Sequence, residues 1–200
     1  MKSTKYTALL SLLGFVFFII ITIVLHFLRT DKNIFTSFVS EHAVGNYGWL
    51  MTIAFYCITT GATLLLIGLI KDTKATQKSI FLMGIFCIGF LLLSIFRTDV
   101  PVRPLSPHSL IHALAAIASL LSLGISMITW SAVFKKDDFW KHLAKPSLIF
   151  GISSLILLVV HISSPEAWLG VTQRFLIFWD VCWLILISTT LYRNASLKEI

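Results

Sequence analysis

The sequence predicts an all-α integral membrane protein, a single domain of six transmembrane helices with both termini in the cytoplasm. Three observations predict it. Hydrophobic residues make up 57% of the 200 and mean hydropathy is +0.91. The charged residues, only 12% of the chain, fall in short clusters. Those clusters separate six apolar runs, each close to the roughly 20 residues that cross a ~30 Å hydrocarbon core. Connections this short leave no room for a soluble domain, so residues 1–200 form one six-helix membrane domain.

The first span, about Tyr6–Leu28, follows Met1-Lys2-Ser3-Thr4-Lys5. That start resembles a signal peptide, but the apolar run exceeds the roughly 7–15 residues of a signal core and no small-x-small cleavage site follows it. It is read as a retained helix. The longest connection, Arg29–Tyr47, contains Glu41, His42, Gly45 and Asn46, and is expected to hold a short irregular segment capping the outer ends of the helices. The second span covers about Gly48–Ile70 and the third about Ser79–Phe96, joined by Lys71-Asp72-Thr73-Lys74. Next come Arg97, Thr98, Asp99, Pro101, Pro104 and His108. The fourth span, about Ser109–Phe134, is linked by the lysine-rich 135–141 to the fifth, about Lys145–His161, and the sixth covers about Trp168–Tyr192. Trp49 and Trp168 at outer ends, with Trp130 and Trp140 at inner ends, read as aromatic belts at the two interfaces. Cys57, Cys87 and Cys182 all fall within spans and read as small apolar residues, with no disulfide framework.

A net charge of +7 would suggest nucleic acid in a soluble protein. Here position matters more than sum. Lys2, Lys5, Lys71, Lys74, Lys78, Lys135, Lys136, Lys141, Lys145, Arg193 and Lys198 fall on one side, and Arg29, Lys32, Arg97, Arg103 and Arg174 on the other, eleven against five of the 16. Cytoplasmic loops carry the excess of lysine and arginine. The lysine-rich side is therefore inside, the expected partners are membrane lipids rather than nucleic acid, and the histidine-rich connections face outward.

Candidate chemistry gathers at that outer level. His108 and His112 are four residues apart and share a helix face if the fourth helix begins by Pro107. Asp99 and His161 lie at the same depth, as do Glu166 and His42, so Asp99, His108, His112 and His161 are the candidate ligands of a zinc ion. Asp99 and His112 are then the candidate catalytic pair of a metal-dependent membrane hydrolase. His112 and His161 are also a candidate bis-histidine pair for haem. Arg97, Arg103 and Arg174 offer guanidinium forks for an anionic group. Asp180 lies near the middle of the sixth span, where a carboxylate must be protonated, paired or wetted. Gln173, seven residues earlier, shares its face and suggests a polar stripe descending from the outer pocket. The bland alternative is a neutral Asp180 bonded to Tyr56, Thr59, Thr60 or Ser94.

Phe96-Arg97-Thr98-Asp99 closing the third span, the Pro/Ser connection, His112, Gly170-Val171-Thr172-Gln173-Arg174 opening the sixth span and Gly45-Asn46-Tyr47-Gly48-Trp49 opening the second carry a resemblance. The chain resembles the bacterial six-helix membrane proteins grouped as domain of unknown function 998. The resemblance implies six helices and an extracytoplasmic polar pocket, without a reaction. The chain is more distantly similar to the alkaline ceramidase and adiponectin receptor superfamily, on His108-Ser109-Leu110-Ile111-His112 alone. It departs from that superfamily in having six helices, the pair on the fourth helix, and no matching Ser-x-x-x-His. The function expected is binding of a lipid or small amphiphile at the outer face of a bacterial plasma membrane. Arg97, Asp99, His112, His161, Gln173, Arg174 and Asp180 are the candidate ligand-binding residues, with Asp99, His112 and Arg174 expected on one cavity.

Overall fold

The computed structural model describes residues 2–100 and 106–198; Arg103, Pro101 and Pro104 lie outside them. Six helices form: α1 (Lys2–Leu28), α2 (Gly48–Asp72), α3 (Gln77–Ile95), α4 (Pro107–Phe134), α5 (Ala144–Ile162) and α6 (Leu169–Leu197). All six are long and apolar enough to cross a membrane. Short 3-10 turns cover Val39–Ala43, Lys141–Leu143 and Glu166–Trp168, and the described residues contain no strand.

Local chemistry sets the ends. Thr76 and Ser106 cap α3 and α4, each side-chain oxygen accepting from a backbone N–H three residues on, and Pro107 occupies the first turn of α4, where a missing N–H costs nothing. Before α2 the chain turns sharply through Gly45 (φ 86°) and Tyr47 (φ 58°), both left-handed. At Gly48 a side chain would run into the Ala43 carbonyl.

The helices pack in chain order, α1 on α2 round to α5 on α6, and α6 closes the ring on α1. Small residues allow the approach: a Cβ at Gly14 would strike the Cys57 carbonyl, and one at Gly61 would touch the Ser11 carbonyl. The start of α1, the end of α6 and the two lysine-bearing connections lie at one end of the ring, here the terminal end. Segment 29–47, residues 96–100 and the 163–168 connection lie at the loop end.

The terminal half is filled. Trp130, Trp140 and Trp183 are 0% exposed. Trp130 stacks on Phe134 with ring centres 5.7 Å apart, and Phe134 on Trp140 at 4.9 Å. Trp130 and Trp140 are thus core residues, not the interfacial belt expected of them, because the ring of helices is wide enough at this end to need large aromatics inside. Trp49 and Trp168 at the loop end are more than half exposed, as a belt requires. Asp72, at the end of α2, binds this half together. It accepts from Trp140 Nε1 (3.0 Å), Asn194 Nδ2 (2.5 Å) and Lys198 Nζ (2.7 Å), linking α2, the α4–α5 connection and α6.

Candidate functional site at the loop end

The loop half is hollow. A cavity of about 300 Å³ lies inside the ring, lined from α2 by Phe55, from α3 by Phe90 and Leu93, from α4 by His112, Ala116 and Leu120, from α5 by Leu158 and His161, and from α6 by Gln173 and Ile177. Thr98 and Ser109 complete its polar rim. From Ser109 to Leu120 the helix rises about 16 Å at 1.5 Å per residue, so the cavity reaches about halfway through the bundle. Ile117 of α4 and Ile162 of α5 also line it and are 48% and 62% exposed, so the cavity borders the outer surface of the bundle at these helices.

Segment 29–47 roofs the cavity through Phe38, Val39 and Ser40. Its backbone is held by its own Arg29 and Glu41 and by residues of α6. Arg29, 4% exposed, donates from Nη1 to the carbonyls of His42, Val44 and Asn46 at 3.2, 2.8 and 2.8 Å, and grips Asp31 with Nε and Nη2. The guanidinium holds the Asp31 carboxyl down at about 2, and the same hydrogen bond raises the pKa of Arg29. Arg174 donates from Nη1 to Ile34 and Ser37 carbonyls, Gln173 Oε1 accepts from Val39 N–H at 2.7 Å, and Gly170 N–H donates to the Phe35 carbonyl. Glu41 accepts from Phe38 N–H and pairs with Lys32. Beneath the roof the His42 ring lies 5.2 Å from that of His26, whose Nε2 accepts from Arg174 Nε at 2.7 Å. Burial pushes the His42 pKa down to about 4, helped by the neighbouring His26 and Arg174.

The sequence candidates divide into two groups. His112, His161 and Gln173 reach the same cavity. Arg97, Asp99, Arg174 and Asp180 do not line it. Arg97 is exposed. Asp99 accepts from Ser106 N–H (2.6 Å) and Oγ (3.0 Å) and donates its own N–H to Ser109 Oγ, so its carboxylate braces the start of α4, where the helix dipole favours a negative charge. Arg174 donates to the roof through Nη1 and to His26 through Nε, its buried Nη2 has no partner among the described residues, and it lines a second, apolar cleft of about 220 Å³ between α1 and α6. The expected cavity shared by Asp99, His112 and Arg174 is therefore built from His112, His161 and Gln173, because the two charged residues serve the backbone of the connections.

Asp180 faces α5, where Ser154 Oγ donates to its Oδ1 at 2.6 Å. The same helix face pairs Trp183 Nε1 with Ser147 Oγ and Trp179 Nε1 with Ser153 Oγ, both at 3.0 Å. The partner is Ser154, not Tyr56, Thr59, Thr60 or Ser94, and the stripe joins two helices without reaching the cavity. His108 is exposed, its ring 5.6 Å from that of Phe96. Among the described residues no three of His, Cys, Asp and Glu gather to hold a metal ion, so the zinc set of Asp99, His108, His112 and His161 does not assemble; of the catalytic candidates, His112 lines the cavity and Asp99 does not. The haem pair His112 and His161 shares the cavity, but its lining offers no cation to receive haem propionates.

A family model described as Protein of unknown function (DUF998) matches residues 12–190. The chain belongs to this family. The matched region of this DUF998 protein runs from α1 to late α6 and so contains the whole cavity. Comparison with curated proteins and with solved structures returns no match.

Sequence reasoning missed the roof residue Phe38, the apolar walls Phe55, Phe90 and Leu158, and the exposed pair Ile117 and Ile162. A polar residue in an apolar helix is conspicuous; a phenylalanine that leaves a gap behind it is not.

Proposed function

We propose that the protein binds a small amphiphile drawn from the bilayer, its polar head at the rim of His112, His161, Gln173, Thr98 and Ser109 and its apolar part against Phe90, Leu93, Leu120 and Leu158. The observation that carries the reading is the cavity itself, apolar walls with a few convergent polar groups and two lining isoleucines, Ile117 and Ile162, that are also exposed on the bundle surface. That combination is what ligand sites generally offer. The positive-inside bias adds orientation, with the terminal end in the cytoplasm and the cavity facing the outer leaflet of a plasma membrane. The fold needs no metal or catalytic group for this role.

The test is lipid retention. Protein purified in detergent and examined by native mass spectrometry should carry one bound amphiphile, and Ala116→Trp, which fills the cavity from α4, should lose it while remaining folded. Equal retention by the variant would contradict the reading. Orientation is checked separately: a reporter active only outside the cytoplasm should be active when fused after Pro104 and silent after Lys74 or Asp138.

A further inference from the structure

Three members of the polar rim have a hydrogen-bond polarity set by their neighbours, while the hydroxyls of Thr98 and Ser109 can donate or accept. His112 Nδ1 lies 2.7 Å from the Phe96 carbonyl, which can only accept, so that nitrogen carries the proton and Nε2 is left as an acceptor. His161 Nδ1 lies 3.0 Å from Thr172 Oγ1, whose own proton is directed to the carbonyls of Trp168 or Leu169. With the hydroxyl proton so placed, His161 donates from Nδ1 and leaves Nε2 as an acceptor. Neither Nε2 has a partner among the described residues. Gln173 is set the opposite way, since its Oε1 accepts from the Val39 N–H and its amide nitrogen is left with donors to spare. No lining residue is Asp, Glu, Lys or Arg.

We propose that the ligand's head is uncharged and carries two hydroxyl groups and an acceptor carbonyl, as in a monoacylglycerol. This rests on the amphiphile reading above and deepens it. Two hydroxyls donate to the two imidazole Nε2 atoms, and the ester carbonyl accepts from the Gln173 amide. A carboxylate head would turn lone pairs toward two acceptors, with no cation on the lining to pair with it. A quaternary ammonium has no proton to offer, and it would be desolvated without a counter-charge. A plain ester has no proton to give either imidazole. Size agrees, because 300 Å³ takes about ten groups of roughly 30 Å³ each, the glycerol ester and the first methylenes. The rest of the chain leaves between Ile117 and Ile162 into the bilayer.

The experiment uses the full chain in maltoside detergent and monooleoylglycerol, oleate, lysophosphatidylcholine and methyl oleate as competing ligands against a radiolabelled monooleoylglycerol tracer at neutral pH. Monooleoylglycerol is expected to bind at least tenfold more tightly than each of the others, the effect of one or two hydrogen bonds. His112→Phe and His161→Phe should each lose about tenfold for monooleoylglycerol and leave methyl oleate unchanged. The wild-type series decides the matter even where a histidine variant fails to fold. Equal binding of all four, or tighter binding of oleate or lysophosphatidylcholine, overturns the head assignment and leaves the amphiphile reading standing. If none binds and Ala116→Trp behaves as the wild type, both fall together.

Discussion

The two halves of the bundle use the same six helices to opposite ends. At the terminal end three buried tryptophans and the Asp72 hub fill the ring and tie three elements to one carboxylate. At the loop end the same ring encloses a cavity of about 300 Å³, and the connections rather than the helices supply the closure. The charged residues follow the same division. Asp72 is an internal fastener, whereas Arg29 and Arg174 donate to the backbone of a roof, with the neutral Gln173 accepting from it through Oε1. What the contrast teaches is that rigidity at one end frees the other from packing. In a membrane, helix association depends on van der Waals contact and interhelical hydrogen bonds more than on exclusion of water, so one densely packed end can anchor a bundle whose other end is open.

The comparison breaks most readily at the tryptophans. Trp140→Ala removes the stack on Phe134 and leaves Asp72 short of a donor, and should cost about 3 kcal/mol, or roughly 10 °C in thermal unfolding. Leu93→Ala, which faces the cavity and breaks no stack or hydrogen bond, should cost less, about 2 kcal/mol. Comparable losses from the two would erase the distinction between the halves.

Next is the hub. Asp72→Ala leaves the Trp140 indole and the Asn194 amide unmatched and should cost about 2 kcal/mol, with Asp72→Asn recovering part of it through its carbonyl oxygen. Thermal unfolding of both variants checks this.

A smaller effect is expected at the roof, from pH. His42 has a folded pKa of about 4, below the 6.5 of an unfolded histidine. Between those values the unfolded chain binds more protons, so stability rises with pH. The contribution is complete above about pH 6.5 and is lost as pH falls toward 4. His42→Phe, which keeps a ring beside His26, should flatten this dependence when melting temperature is measured from pH 7.5 to 4.5.

The smallest effect belongs to Asp180. Asp180→Asn keeps an acceptor for Ser154 Oγ and lies off the cavity, so stability should change by less than about 1 kcal/mol, with monooleoylglycerol binding unaltered. A loss of binding would place Asp180 in the site after all.

How much of this was legible in the sequence follows the same division. Span number and ends read clearly, since apolar runs and charge clusters are local signals: the expected Gly48–Ile70 and Ser109–Phe134 lie within α2 and α4. His112, His161 and Gln173 were also legible as polar residues at one depth. The roles of Asp99 and Arg174 were not. Depth fixes how far along the membrane a residue sits but not its azimuth around a ring, and at a connection the backbone competes for every charged side chain. Trp130 and Trp140 failed for a related reason: at a helix end a tryptophan suits the interface or the interior equally, and only the width of the ring decides. A cavity at the outer end was expected, but its walls could not be read, because an empty volume is a property of what six helices fail to fill.

The central claim, a packed half and a hollow half, is tested most directly by adding the same large side chain to each. Ala116 lines the cavity on α4, and Ala62 is fully buried in the core on α2. Melting temperatures of Ala116→Trp and Ala62→Trp in the same detergent should differ sharply, with Ala116→Trp at or near the wild-type value and Ala62→Trp failing to fold or melting far lower, since a filled core has no room for an indole. Ala116→Trp collapsing as readily as Ala62→Trp would contradict the account, for it would mean that the loop half is as filled as the other.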